Sequence, residues 1–380
     1  MKTQSKLQTL RKELNAAYLE RAAVVDGLLA ALLAGQNAVL YGPPGTGKSA
    51  LLRSLCNAIA GADYFQRLLQ KAMPPEELLG PISLKGLEQD ILKRNTTGRL
   101  PEATIAFLDE VFKCNATTLN ALLGLLNERV FENPDPQRIP LQFLAGAANR
   151  VPDEPELAPF VDRFIFRPWV SYTGSDRNKA TLIEWACEGN QPQVKADQIS
   201  LQDLDAMKAE AQAVTVSPAM RGEYLRAIKA LGEAGFAISD RRIIQLLHLL
   251  KCYAYIQGHG AVYLDHLLAL LPLCLWQKDP AEIREINKAL KAACPHPEAQ
   301  LKDFLQAARK EVERLEAEDE VSHNLANMVT GSLLTLETRV TELQAAETSP
   351  LPATAFEKAL AELETLRLQV AEIKEAALYS

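Results

Sequence analysis

The sequence predicts an α/β domain built on a parallel sheet, followed by an all-α domain and then a domain of long helices. Three observations predict this. Short apolar runs of strand length alternate with helical periodicity as far as about residue 172. After that point the strands stop and five helical segments follow one another. From about residue 281 the helices lengthen and become more polar. The boundaries this sets are 1–172, 173–278 and 279–380.

Taken in order, residues 7–34 have helical spacing of Leu7, Leu10, Leu14, Val25, Leu28 and Leu32, and Gly35 is a stop. Ala38–Tyr41 reads as a strand, a glycine-rich turn follows, and Ser49–Ala60 is helical. Tyr64–Leu69 reads as a second strand. Residues 73–101, with several Pro and Gly, leave the regular layer. The apolar run Ile105–Leu108 ends in Asp109-Glu110, Thr117–Glu128 is a helix, and turn residues within 130–141 make a hairpin there. Phe143–Ala148 and Phe164–Phe166 complete the strands. Helices are expected at 176–188, 201–213, 218–233, 240–257 and 263–276, then in the tail at 301–320, 322–347 and 354–378.

Composition narrows the class. At 380 residues, 48% hydrophobic and 23% charged, the chain is long enough for two or three packed domains and is not a disordered polymer. The formal net charge of -7 is uneven, because residues 301–380 hold 8 Lys/Arg against 15 Asp/Glu and the remainder balances. Bulk charge therefore argues against a nucleic-acid partner. No uninterrupted apolar run reaches membrane-spanning length, and the first fifteen residues have no secretory pattern. The six scattered cysteines have the character of reduced thiols, and the expected location is cytoplasmic. Cys294 and His296 are too few to define a metal site.

The chemistry lies in three strand ends. Gly42-Pro43-Pro44-Gly45-Thr46-Gly47-Lys48-Ser49 fits the G-x-x-x-x-G-K-[ST] phosphate loop between a strand and a helix. Its glycines let backbone N–H groups close on phosphate oxygens, Lys48 reaches the terminal phosphates, and the Ser49 hydroxyl is a Mg²⁺ ligand. Asp109 ends an apolar strand, as a second Mg²⁺ ligand does, and Glu110 beside it has the chemistry of a general base for an attacking water. Asn149 ends another apolar strand. Its amide reads equally as a turn former and as a group that orients that water.

GPPGTGKS, IAFLDE and GAANR at these intervals resemble the AAA+ ATPases, and PPEELLGPISLKGLE with GRLPEATIAFLDEVFKCNATTLNALLGLLNERVFEN resembles the MoxR branch, most of all its RavA-like members. The resemblance covers about residues 15–275. It implies an AAA+ P-loop fold with an all-α lid, ATP and Mg²⁺ as cofactors, and a homo-oligomeric ring, usually a hexamer, with ATP between subunits. It also implies an insert within residues 80–100 and a hairpin at 131–140. Asn149 matches the first sensor, Arg163 in Val-Asp-Arg-Phe the arginine finger with Arg167 as competitor, and Arg241 the second sensor with Arg242 as competitor. A planar, permanent cation suits a finger because it meets phosphate oxygens as charge shifts.

The family implies a protein-remodelling or chaperone-like motor whose partner carries a von Willebrand factor A domain. Here the tail is helical almost throughout, without the β-rich insert of RavA-like proteins, so their particular partner does not transfer. A nucleic-acid motor or loader, with Lys85, Lys93, Arg94 and Arg99 lining a pore, and a nucleotide-gated scaffold are the competing readings. In the tail, Leu301, Phe304, Leu305, Val312 and Leu315 form one apolar stripe, and Leu360, Leu363, Leu366, Val370 and Ile373 form another. The stripes bury each other or bind a protein partner.

Overall fold

The fold is known from a computed structural model of the chain, which describes residues 2–196, 198–318 and 323–379. Two compact units divide it: Met1–Thr215 with Gly235–Ala261 and Ala269–Asn287, and Val216–Ala234 with Val262–Leu268 and Lys288–Ser380.

The first unit is built on a five-stranded, wholly parallel sheet. Its order is Tyr64–Leu68, Ile105–Asp109, Phe143–Ala148, Asn37–Tyr41, Phe164–Phe166. Asn37–Tyr41 and Phe143–Ala148 are buried at every position, as expected of strands covered on both faces. The continuous apolar runs in the sequence have this cause. Parallel registers such as Leu40 with Ala147 and Leu108 with Gly146 bring the carboxyl ends of three strands together. The phosphate-loop segment, Asp109-Glu110 and Asn149 follow those ends. The hairpin forms from Val130–Glu132 and Pro136–Arg138, inside the expected range.

Three expectations are corrected. The helix foreseen over 7–34 is two helices, Lys2–Ala17 and Ala22–Leu33. Glu20 between them adopts a left-handed φ of 59°, and its carboxylate accepts the N–H groups of Gly174 and Ser175 at 2.8 and 2.9 Å. A partner 154 residues away breaks the helix, not a local breaker. The helix foreseen over 117–128 is likewise split, into Ala116–Asn120 and Leu123–Asn127. Strands do not end at 172, since Ile199–Ser200 pairs in parallel with Ile59–Ala60.

The other helices start where their caps place them. Ser200 and Asp203 form a reciprocal capping box for Leu201–Gln212, and the Ser217 and Ser239 side chains cap Pro218–Glu233 and Asp240–Ile256. Helix Asp176–Glu188 buries none of its residues.

The second unit contains the tail helices Pro297–Glu316, His323–Ala345 and Ala353–Tyr379. Leu301, Val312 and Leu315 of one stripe share a core with Leu363 and Val370 of the other, lined also by Val329, Leu333 and Val340. The stripes bury each other. Among the described residues no helix is long and apolar enough to cross a membrane.

Leu363 is fully buried in that core. Leu363→Ala removes a packed side chain and leaves a cavity, which costs about 2–5 kcal/mol. Hydrogen exchange of the tail amides in the full chain is expected to speed up accordingly, with exchange in the five-stranded sheet unchanged.

Candidate nucleotide site

The phosphate loop takes its shape from positions only glycine fills well. Gly42 has φ 146°, and a Cβ there would lie 2.1 Å from the Val170 carbonyl oxygen. Gly45 and Gly47 have φ 80° and 81°, and Gly47 caps the helix Lys48–Asn57 in the left-handed conformation. The loop's backbone thus curls directly into a helix N-terminus, where N–H groups without intrahelical partners and the positive end of the helix dipole favour an anion.

Lys48 is mostly buried, and its ammonium is fully engaged. It donates to the carbonyls of Gly42 and Pro43 at 2.7 and 2.8 Å and to Asn149 Oδ1 at 3.2 Å. Burial lowers its proton affinity, while the charges of Glu110 and Asp109 act in the opposite sense. Asn149 Nδ2 in turn donates to Glu110 Oε1 at 2.6 Å. Lysine, amide and carboxylate from three strand ends are therefore one hydrogen-bonded chain. Glu110 stands on a left-handed turn, φ 53°, directly after Asp109, whose Oδ1 accepts the Glu110 N–H at 3.1 Å. Lys48, Ser49, Asp109, Glu110 and Asn149 all line one cavity of about 290 Å³ together with the loop.

These residues fit the nucleotide and metal the motif implies. A hydroxyl from Ser49 and a carboxylate from Asp109 on one cavity wall are hard oxygen donors of the kind Mg²⁺ takes alongside water and phosphate oxygens. The glycine-shaped turn leaves backbone, not side chain, facing the place of the phosphates.

The arginines lie elsewhere. Arg163, Arg241 and Arg242 gather on Asp162: Arg242 Nη1 donates to Oδ1 at 2.6 Å, Arg241 Nη2 to Oδ2 at 2.9 Å, and Arg163 Nη1 lies 3.4 Å from Oδ2. None of the three lines the loop's cavity. Arg242 is buried and also donates to the carbonyl of Cys274 at 3.0 Å, whereas the Arg241 side chain is 52% exposed. Burial, with repulsion from Arg241, pulls the Arg163 guanidinium below its ordinary proton affinity, and Asp162 partly offsets this. Arg167 is wholly interior. It donates to the Cys274 carbonyl at 3.1 Å, and burial pushes it down to about 10. Arg167 is thus sealed in the interior, whereas the Arg163 side chain is 18% exposed.

Reading the sequence missed Asp162, around which the arginines collect, and Lys113, whose ammonium lies 3.2 Å from Glu110 Oε1. An acid directly before an arginine was a visible signal for the first. For the second the only signal was a base three residues after the acid in a non-helical turn. Cys294 and His296 have other engagements, with the Glu223 carbonyl at 3.5 Å and the Asp265 carboxylate at 2.9 Å. Among the described residues no cluster of His, Cys, Asp and Glu could hold a metal ion by itself.

A five-stranded parallel sheet in this order, with a phosphate loop after one strand and an Asp-Glu pair after another, defines an AAA+ ATPase fold with a helical lid and a helical C-terminal region. The chain belongs to the MoxR family: residues 5–209 match the profile of the MoxR domain in MoxR-vWA-beta-propeller ternary systems, and residues 223–290 match an AAA lid domain. Two uncharacterised proteins of Methanocaldococcus jannaschii are each 39% identical to it. One match runs over 254 residues, 66% of this chain and 66% of that protein; the other over 287 residues, 75% and 73%. A structural protein of Acidianus two-tailed virus is 30% identical over 173 residues, 44% of this chain and 28% of that protein. A crystal structure from Cytophaga hutchinsonii, provisionally described as an ATPase, superposes with a TM-score of 0.61 over 77% of this chain and 95% of its own. At 18% identity that is a likeness of fold.

The Glu20 contact makes a specific expectation. Hydrogen bonds from Asn178, Gly174 and Ser175 hold its carboxyl down to about 2. A carboxyl depressed in the folded state stabilises above its unfolded value and loses that effect as pH falls through the folded one. The contact is thus intact at neutral pH and weakens between about 4.5 and 2. Glu20→Ala is expected to accelerate hydrogen exchange at Gly174 and Ser175 at neutral pH and to leave the central sheet unaffected.

Proposed function

We propose that this chain hydrolyses Mg-ATP and works as a homo-oligomeric ring, a hexamer in the usual family arrangement, that remodels proteins in the cytoplasm. The observation that carries the reading is the chain of hydrogen bonds from Lys48 through Asn149 to Glu110. It links the group that would meet the terminal phosphate to the group that would take a proton from water. A protein that only sensed nucleotide would have no use for that carboxylate.

In this reading Gly42–Ser49 cradles the phosphates, and Ser49 and Asp109 hold Mg²⁺. The metal, when bound, neutralises charge on the phosphate oxygens. Asn149 orients a water against the γ-phosphorus. The water oxygen bonds to phosphorus, its proton passes to Glu110, and the bond to the bridging oxygen breaks with its electron pair leaving on ADP. Arg163, which does not line its own subunit's cavity, serves the neighbour's site as the finger. Arg241, the more exposed of its pair, is the second sensor. Residues 1–172 then form the nucleotide domain, 173–278 the lid and 279–380 a helical handle. The description of the matching family by MoxR-vWA-beta-propeller systems supports a partner with a von Willebrand factor A domain, and a β-propeller protein belongs to the same reading.

Two outcomes test it. Glu110→Gln keeps the cradle and the metal ligand but removes the base, so ATP affinity is expected to persist while turnover falls by about 100-fold or more. Lys48→Ala is expected to lose affinity as well. Turnover at the parent rate in Glu110→Gln, measured as phosphate release, would remove Glu110 from the role. For the finger, Arg163→Ala and Lys48→Ala subunits are each expected to be inactive alone. Mixing them pairs an intact loop with an intact finger at some interfaces and should restore part of the activity. No recovery at any ratio, with subunit exchange verified, would exclude action across subunits.

A further inference from the structure

Glu110 has two partners on one oxygen. Asn149 Nδ2 lies 2.6 Å from Oε1, and Lys113 Nζ lies 3.2 Å from the same atom. Among the described residues no protein donor reaches Oε2. Lys113 comes to Glu110 through a tight turn, closed by its own N–H on the Glu110 carbonyl at 2.8 Å. It approaches from the far side. Glu110 and Asn149 line both the phosphate-loop cavity and a second cavity of about 550 Å³, and Lys113 lines only the second.

The two partners differ in their commitments. Asn149 also accepts from Lys48, so its amide is pulled between the loop and the carboxylate. Any ligand that draws Lys48 or Asn149 toward itself competes for the hydrogen bond to Oε1. Lys113 has no such second partner on the loop side. A carboxylate on a left-handed turn, held by one shared donor, would swing about its last side-chain bond whenever that donor turned away. A second, positively charged partner 3.2 Å from the same oxygen holds it through its charge.

We infer that Lys113 is a positioning residue that loads Oε1 of Glu110, so that Oε2 remains the oxygen that accepts the water proton while Asn149 engages the phosphate. The inference rests on Glu110 being the base. Lys113 does not touch the nucleotide, so its loss acts on the chemical step and not on binding.

The experiment compares the full chain with Lys113→Met, Lys113→Arg and Glu110→Gln, with Mg-ATP as the probe. Lys113→Met preserves the stem and removes the charge. It is expected to lower kcat by about tenfold with KM within about twofold. That is less than the ~100-fold of a full 1 Å misplacement, because the Lys113 side chain is 61% exposed and solvent weakens its hold. Lys113→Arg should recover most of the loss. A crystal structure of Lys113→Met with Mg²⁺ and a non-hydrolysable ATP analogue should show the Glu110 carboxylate in more than one orientation. Lys113→Gln repeats the test with a polar, uncharged side chain, should either variant fold poorly. Parent kcat in Lys113→Met, or a raised KM with unchanged kcat, overturns the inference. If Glu110→Gln turns over at the parent rate, the base assignment falls and this inference with it. If Glu110→Gln is inactive and Lys113→Met is not slowed, only the role of Lys113 falls.

Discussion

One buried ammonium organises this site. Lys48 is only 6% exposed, so its donors must find oxygens within the protein. Two come from the carbonyls of its own loop and one from Asn149. That third bond sets a condition on the whole first unit, because it requires the strand before the loop to lie beside the strand that ends in Asn149. The bond from Asn149 to Glu110 likewise requires the strand ending in Asp109 to lie on that strand's other side. The sheet order meets both requirements with parallel neighbours in register. The crossovers that parallel pairing demands take the intervening chain out of the layer, so residues 101 positions apart in sequence close to hydrogen-bonding distance.

The packing beneath keeps the three strand ends from drifting. Gly146 is flanked by Val111 and Val39, whose methyl carbons would lie 3.1 and 3.3 Å from a Cβ there, closer than ordinary van der Waals contact. Behind the loop, Tyr41 stacks on Phe112 at 5.8 Å and meets Trp276 edge-on at 5.4 Å, and Phe112 meets Phe160 and Phe164 edge-on. Phe112 lies between Glu110 and Lys113 in sequence, so the turn that presents the carboxylate is anchored by a half-buried ring packed on Tyr41, Phe160 and Phe164. Aromatic contacts of this geometry add to plain burial. A rigid base under a charged tip is what a proton acceptor needs if its oxygen is to be in the same place at each turnover.

How much of this was legible follows from how far apart the interacting residues are. The phosphate loop was readable because its eight residues are contiguous and their types answer to backbone shape. Asp109, Glu110 and Asn149 were readable because strand ends show as apolar runs meeting a polar residue. Breaks made by remote partners were not readable. Helical periodicity runs unbroken past Tyr18, yet Glu20 turns the chain to reach N–H groups near residue 175. The arginine assignments needed the fold as well. On the page of the sequence Arg163 and Arg167 are equivalent cations four residues apart, whereas one holds Asp162 and the other is sealed under Cys274. Which of the two is sealed in depends on strand pairing that no local pattern encodes.

The tail follows from the same logic of burial. Two apolar stripes in separate helices could have served a partner or each other, and the shared core of Leu301, Val312, Leu315, Leu363 and Val370 decides between them. Once those stripes face inward, the excess of Asp and Glu in residues 301–380 must lie mostly on the outside, since unpaired carboxylates are costly to bury. Some of that charge is locally offset, as where Arg309 meets Glu362 between two helices. The rest makes the outer face acidic. Such a surface repels polyanions and attracts basic protein faces through solvent, with a strength set by ionic strength. The two apolar stripes are thus spent on the unit's own core, and of the large apolar side chains in these helices Met328, Leu334 and Leu368 stay exposed among the charges.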